Sequence, residues 1–294
     1  MRRIIPIDTN YDFMNKRIIM MIMSLIFIFI SILLIFFKGL NLGIDFRGGT
    51  LIEIKTNNSN ISELRKILNP EFNDVSLQEF GDSNTIIIRL QNNSNTESIA
   101  TINQVKILIN DKVEEFRRTE FVGPTISSEL LWKGLQAVSF ALIAILIYIW
   151  LRFEWQFGFG AVVALTHDVL FTLGFLSLFN IEFSLASIAA ILTIAGYSIN
   201  DTVVIFDRVR ENLRKYKKLD LVNLFNLSIN NTLSRTIMTS LTTLIALVSL
   251  FIFGGDVIKP FALTMIIGVL IGTYSSIYIA VPTLLLFKFR PQED

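Results

Sequence analysis

Residues 18–37 read "IIMMIMSLIFIFISILLIFF", twenty residues without a charge, all apolar but for two serines. At 1.5 Å per residue such a helix spans about 30 Å, the thickness of a bilayer's hydrocarbon core. The run exceeds the apolar core of about 7–15 residues found in a secretory signal peptide, and the following "KGLNLG" has no small-x-small cleavage pattern. It reads as an uncleaved membrane anchor, so the question becomes how many more such runs follow.

Five do, near residues 134–151, 157–179, 183–206, 237–253 and 261–287. The composition agrees: 52% of the 294 residues are hydrophobic, 25 are phenylalanine, only 17% are charged, and the mean hydropathy is +0.57. A net charge of +1 offers no concentrated basic surface for nucleic acid. The absence of cysteine excludes a disulfide framework, a thiol nucleophile and thiolate metal sites, and a single histidine, His167, argues against a histidine-rich metal site. No cofactor motif is present.

Orientation follows from the basic residues. Arg2, Arg3, Lys16 and Arg17 precede the first span, Arg208, Arg210, Arg214, Lys215, Lys217, Lys218 and Arg235 follow the fourth, and Lys288 and Arg290 end the chain. The connection "NIE" has no lysine or arginine, and "GGDVIK" has only Lys259. The expected partition is a cytoplasmic amino-terminal segment 1–17, a first span 18–37, an extracytoplasmic domain 38–130, spans two to six within 131–287 interrupted by a basic cytoplasmic loop 207–236, and a cytoplasmic tail 288–294.

The domain at 38–130 carries its own signals. "TLIEIKT" alternates as a strand does, and "NISELRKILNP" has Asn60 as a cap and a proline stop. "DVSLQEFG" and "TIIIRLQ" read as strands joined by a turn around Asp82, Ser83 and Asn84. "TESIATINQVKILINDKVEEF" reads as a helix with Thr96 as its cap, and "RRTEFVG" as a last strand. The order is βαββαβ, the ferredoxin-like split arrangement, so the fold class is a polytopic α-helical membrane protein with six transmembrane helices and one α+β domain.

Polar residues inside the spans are the candidates for chemistry, because a carboxylate at membrane depth costs roughly 2.5–3.5 kcal/mol on insertion scales. Asp201 lies in "YSINDTVVIF", with Tyr197 and Ser198 four and three residues before it on the same face and Gly196 making that side slim. It is either a packing acid or an ion-responsive group. Arg235, Thr239 and Thr242 fall on one stripe of the fifth span, as a polar lane or as a snorkelling cation beside ordinary threonines. If the fourth and fifth spans are neighbours, Arg235 and Asp201 lie at similar depth, where desolvation penalises the carboxylate and the guanidinium favours it. His167 and Asp168 stand in tandem in the third span, so one is expected to point into the bundle. Gly268 and Gly272 form a small-xxx-small pair suited to a close helix crossing. "GIDFRGGT", with Gly43, Asp45, Gly48 and Gly49, reads as a tight turn into a strand.

Taken in order, "GIDFRGGT", "GYSINDTVVIFDRVREN", "LSRTIMTSLTTL" and "GTYSSIYIA" resemble the SecD/SecF family of the bacterial Sec protein-export machinery, within the resistance-nodulation-division superfamily of permeases. The resemblance covers most of the chain. It implies an inner-membrane subunit that pairs with SecD as the complementary six-helix half and acts on unfolded preprotein. SecYEG and SecA are further partners by this reading, with YajC and YidC as additional candidates. It also implies that the proton motive force drives late export after the ATP-dependent SecA step. Asp201 matches the family's proton-responsive aspartate and Arg235 its functionally important arginine. Two rivals are a half-size ion-coupled small-molecule permease of the same superfamily and an intramembrane aspartyl protease using Asp168 and Asp201 as a dyad. The protease is disfavoured by the different depths of the two acids and the lack of a GxGD pattern.

Overall fold

The computed structural model describes residues 9–56, 60–72, 75–79, 84–90, 95–255 and 258–287. Arg2, Arg3, Lys288, Arg290, the turn residues Asp82 and Ser83, and the side chain of Thr96 lie outside that description. The main helices are α1 Arg17–Phe37, α2 Ile44–Arg47, α3 Ile61–Leu68, α4 Asn95–Ile109, α5 Pro124–Arg152, α6 Trp155–Leu178, α7 Leu185–Lys215, α8 Leu221–Phe253 and α9 Lys259–Ser275. The main strands are β1 Gly49–Thr56, β2 Val75–Glu79, β3 Thr85–Leu90 and β4 Val113–Val122. Among the described residues, six helical stretches are long and apolar enough to cross a membrane: Met14–Phe37, Thr125–Arg152, Trp155–Leu178, Leu185–Lys215, Leu221–Phe253 and Lys259–Leu286.

The chain divides into two compact units. In the unit of Leu42–Ala137 and Phe183–Leu185, four strands form an antiparallel sheet in the order β2-β3-β1-β4. Ile52 is opposite Ile88 and Ile54 opposite Ile86, so the period of two puts these four side chains on one face, where they pack with Leu64 and Leu68 of α3 and Val105 and Ile109 of α4. The opposite face of the sheet holds a smaller cluster of Leu51, Ile87 and Ile44. Asn60 caps α3 by accepting from the Ser62 N–H. Two register shifts absorb the extra length of β4 against β1, between Glu53 and Ile54 and between Lys55 and Thr56.

Two expectations in this unit need correction. The helix expected to run through Phe116 stops at Ile109, and residues 113–116 belong to β4, because Val113 and Phe116 pair with Thr56 and Ile54 and turn toward the sheet's core. "GIDFRGGT" is not a simple tight turn but a single helical turn, α2, ended by Gly48 at φ 71° and Gly49 at φ 102°, conformations that favour glycine. This turn pins the 183–185 segment: Gly43 N–H donates to the Phe183 carbonyl at 2.8 Å, and Leu185 N–H donates to Asp45 Oδ2 at 2.9 Å.

The other unit holds α1, α5 from Val138, α6, α7 from Ala186, α8 and α9. α6 packs on α1 and α9, and α8 also packs on α9. Its largest apolar cluster gathers Phe153, Phe157, Phe206, Phe225 and Leu284. Residues 207–236, read from sequence as a loop, are helical apart from 216–220. The reason is periodicity beneath the charges: Phe206, Val209 and Asn212 continue the buried stripe of α7, and Leu224, Phe225, Ser228, Ile229 and Thr232 start that of α8. Asp220 caps α8, accepting from Val222 N–H at 3.0 Å. Asp207 accepts from Arg152 at 3.0 Å and from Arg210 at 3.1 Å, and both guanidinium groups lie over the Phe153 ring. Past Ser275, residues Ser276–Ala280 form a π turn. Pro282 explains it, since its ring and missing N–H cannot serve the Tyr278 carbonyl four residues earlier.

Candidate functional site

Three helices converge on Asp168. It is fully buried, at 0% exposure, and its carboxyl group has three side-chain partners. Ser198 of α7 donates to Oδ2 at 2.5 Å, Ser275 of α9 donates to Oδ2 at 2.7 Å, and His167 Nδ1 stands 3.0 Å from Oδ1. The approach of α9 to α7 is made possible by glycines: a Cβ on Gly268 would meet the Ile194 side chain, and one on Gly272 would stand 2.9 Å from Ser198 Cβ. Of the tandem pair, Asp168 points into the bundle, and His167 is buried as well. α6 runs between α1 and α9, so helices cover it on more than one side. The His167 ring stacks on Phe171 and lies near Tyr274, whose hydroxyl meets Ser24 of α1 at 2.8 Å.

Asp201, one turn beyond Ser198 on α7, is 3% exposed, and its Oδ2 has no hydrogen-bond partner. Thr202 Oγ1 and Thr236 Oγ1 are also buried and unpartnered, so α7 and α8 present three polar atoms with nothing bonded to them. Arg235 acts on Asp201 electrostatically without forming an ion pair. Its residue is exposed on this chain, as is Thr242, while Thr239 is half-buried. Thr239 Oγ1 donates to the carbonyls of Arg235 and Thr236, and Thr242 Oγ1 to those of Met238 and Thr239, which is how a threonine satisfies itself on its own helix. The buried polar stripe of α8 is instead Thr232, Thr236 and Ser240. Tyr197 donates to Ser240 at 3.3 Å, and Ser240 meets Thr273 of α9 at 2.7 Å, a second polar link across the bundle. Gly196 is exposed, with nothing near the position of a Cβ.

Ser240, Thr236 and Tyr274 do not stand out in the sequence. One available signal was the pair Ser24 and Ser31, seven residues apart and therefore on one face of an otherwise apolar helix. Both are buried, and they mark the side of α1 that meets the bundle.

Six apolar helices, a small α/β unit and carboxyl groups enclosed by hydroxyl-bearing helix faces define a multi-pass membrane protein with ionisable groups in its helix bundle. Comparison with known proteins narrows the class. The profile described as "Protein export membrane protein SecD/SecF, C-terminal" matches residues 103–290, and the SecD/SecF GG motif matches residues 33–59. The chain belongs to the SecD/SecF family. Relatives called protein translocase subunit SecF include that of Rickettsia rickettsii, 43% identical over 98% of this chain and 95% of its own length. Another, from Calditerrivibrio nitroreducens, is 46% identical over 96% of this chain and 95% of its own. The crystal structure of SecDF from Thermus thermophilus, described as a translocon-associated membrane protein, superposes with a TM-score of 0.89 at 36% identity. That match covers 98% of this chain but 40% of the SecDF chain. SecDF in its super-membrane-facing form matches with a TM-score of 0.71 at 34% identity, covering 95% of this chain and 39% of that one.

Proposed function

We propose that this chain works as a SecF-type subunit of the Sec protein translocase, joined to a SecD-type subunit that supplies the complementary helices. The size of the SecDF chain, of which this one matches 40%, supports a second half contributed by another polypeptide. The unit around β1 to β4 is a ferredoxin-like domain on the extracytoplasmic side, both termini are cytoplasmic, and the pair assists preprotein leaving SecYEG after the SecA step. The proton motive force is the drive. The observation that carries this reading is the Asp201 carboxyl group, buried in a membrane helix with one oxygen unbonded and Arg235 acting on it from outside any ion pair. Such a group is at once costly as an anion and open to a proton.

Protonation of Asp201 removes a buried charge and shifts helix packing between two arrangements, which moves the extracytoplasmic domain that holds the emerging preprotein. Moving one charge through 100 mV is worth about 2.3 kcal/mol, a bias of about fiftyfold on a two-state equilibrium. The test is Asp201→Asn, which keeps shape and removes titration, in proton-energised vesicles at matched levels of the complex. Export stimulated by the gradient should vanish while insertion and SecD binding persist. Full stimulation in the variant, or replacement of the proton gradient by a sodium gradient in the wild type, would refute the reading.

A further inference from the structure

The proton-coupling reading leaves the roles of two buried titratable groups open, His167 and Asp168. Both serine hydroxyls donate to Asp168 Oδ2, and His167 Nδ1 faces Oδ1 at 3.0 Å. Where the Asp168 carboxylate is ionised it only accepts, so Nδ1 then carries the proton and Nε2 keeps its lone pair. Nε2 is buried and has no partner. His167 also lines a cavity of about 340 Å³ with Met21, Ser24 and Leu25 of α1 and Val163 and Thr166 of α6. The imidazole therefore stands between this cavity and the enclosed carboxylate.

We propose that His167 and Asp168 form a proton relay, in which a proton arriving at Nε2 makes an N–H bond there while the Nδ1 proton passes to Oδ1. One proton enters and one O–H bond forms. The Nδ1–H bond breaks, the ring ends neutral in its other tautomer, and Nδ1 now accepts from the carboxylic acid. The two serine bonds survive, because the carbonyl oxygen Oδ2 of a protonated acid still accepts them. Asp168 thus gains a proton while remaining tied to α7 and α9. Among the described residues, the titratable groups near the pair are Tyr274 of α9 beside the His167 ring and Asp201 one turn along α7 from Ser198; the serine of α1 at this level, Ser24, is engaged by Tyr274. The guanidinium of Arg235 on α8 acts on Asp201.

The relay rests on the proton-coupling reading, but its test does not use export. His167 is the sole histidine of the sequence, so labelling histidine with the heavy nitrogen isotope reports one ring in the full chain, carried in lipid nanodiscs with a histidine-free tag. At neutral pH the nitrogen spectrum should show Nδ1 protonated and Nε2 bare. On acidification the two should exchange, as an infrared carboxylic-acid band grows that Asp168→Asn abolishes. In His167→Gln, which has no ring nitrogen left to observe, the infrared band alone is read, and it should no longer grow on acidification. The relay is overturned by a proton on Nε2 at neutral pH, by a doubly protonated ring at acid pH, by a ring that does not respond to pH, or by one that ignores Asp168→Asn. Loss of the export effect of Asp201→Asn would instead remove the coupling reading and leave these spectra unchanged.

Discussion

Removing the hydroxyl of Ser275 measures what the charge on Asp168 is worth. The carboxyl group has 0% exposure and two serine donors on Oδ2, at 2.5 Å and 2.7 Å. A hydrogen bond to a charged partner contributes about 1.5–3 kcal/mol, against about 0.6 kcal/mol for an average bond between membrane helices. These figures separate two states of the same geometry. If Asp168 is ionised, Ser275→Ala or Ser198→Ala alone should cost about 1.5–3 kcal/mol, roughly a tenfold to hundredfold shift in the folding equilibrium. The double variant leaves Oδ2 buried without any donor, so its loss should exceed the sum of the single losses by about 0.5–3 kcal/mol. Reversible unfolding in mixed micelles of rising dodecyl sulfate fraction, followed by tryptophan fluorescence, gives all three values. Single losses near 0.6 kcal/mol that simply add would refute a carboxylate held as an anion.

Two further outcomes follow from backbone and packing. Gly272→Val places a branched side chain 2.9 Å from Ser198 Cβ and should cost about 1–3 kcal/mol in the same unfolding assay, whereas Gly196→Ala, with open space at its Cβ, should change stability by less than about 0.5 kcal/mol. Gly48→Ala forces a side chain onto φ 71° and should destabilise by about 1–2 kcal/mol, read as earlier protease cleavage within β1; unchanged cleavage would mean that the turn can adopt another conformation.

Hydropathy locates the membrane helices because the bilayer demands a length of apolar chain and little else. Alternation in "TLIEIKT" and "TIIIRLQ" is equally direct, and the two segments lie side by side as β1 and β3. The sequence is less informative where one requirement masks another. Arginines and lysines after Phe206 conceal a buried stripe that keeps α7 helical to Lys215. Threonines at membrane depth do not disclose which way they face, since Thr239 and Thr242 bond to carbonyls of their own helix. The site shows the same division. Asp168 and Asp201 stand out as acids in apolar helices, but the donors to Asp168 lie 30 and 107 residues away in sequence, and no local pattern connects them.

The π turn at Ser276–Ala280 gives the last membrane helix one residue more than an α ladder would hold over the same length. One residue corresponds to about 100° of azimuth. The direction in which Leu284 points, toward Gly160 of α6, is therefore set by where that surplus sits and not by its spacing from Gly268 and Gly272. Pro282 holds the surplus where it is, since moving it toward Ser275 would return the Tyr278 carbonyl to a residue with no N–H. The azimuth of the helix end is thereby fixed against its glycine-bearing half.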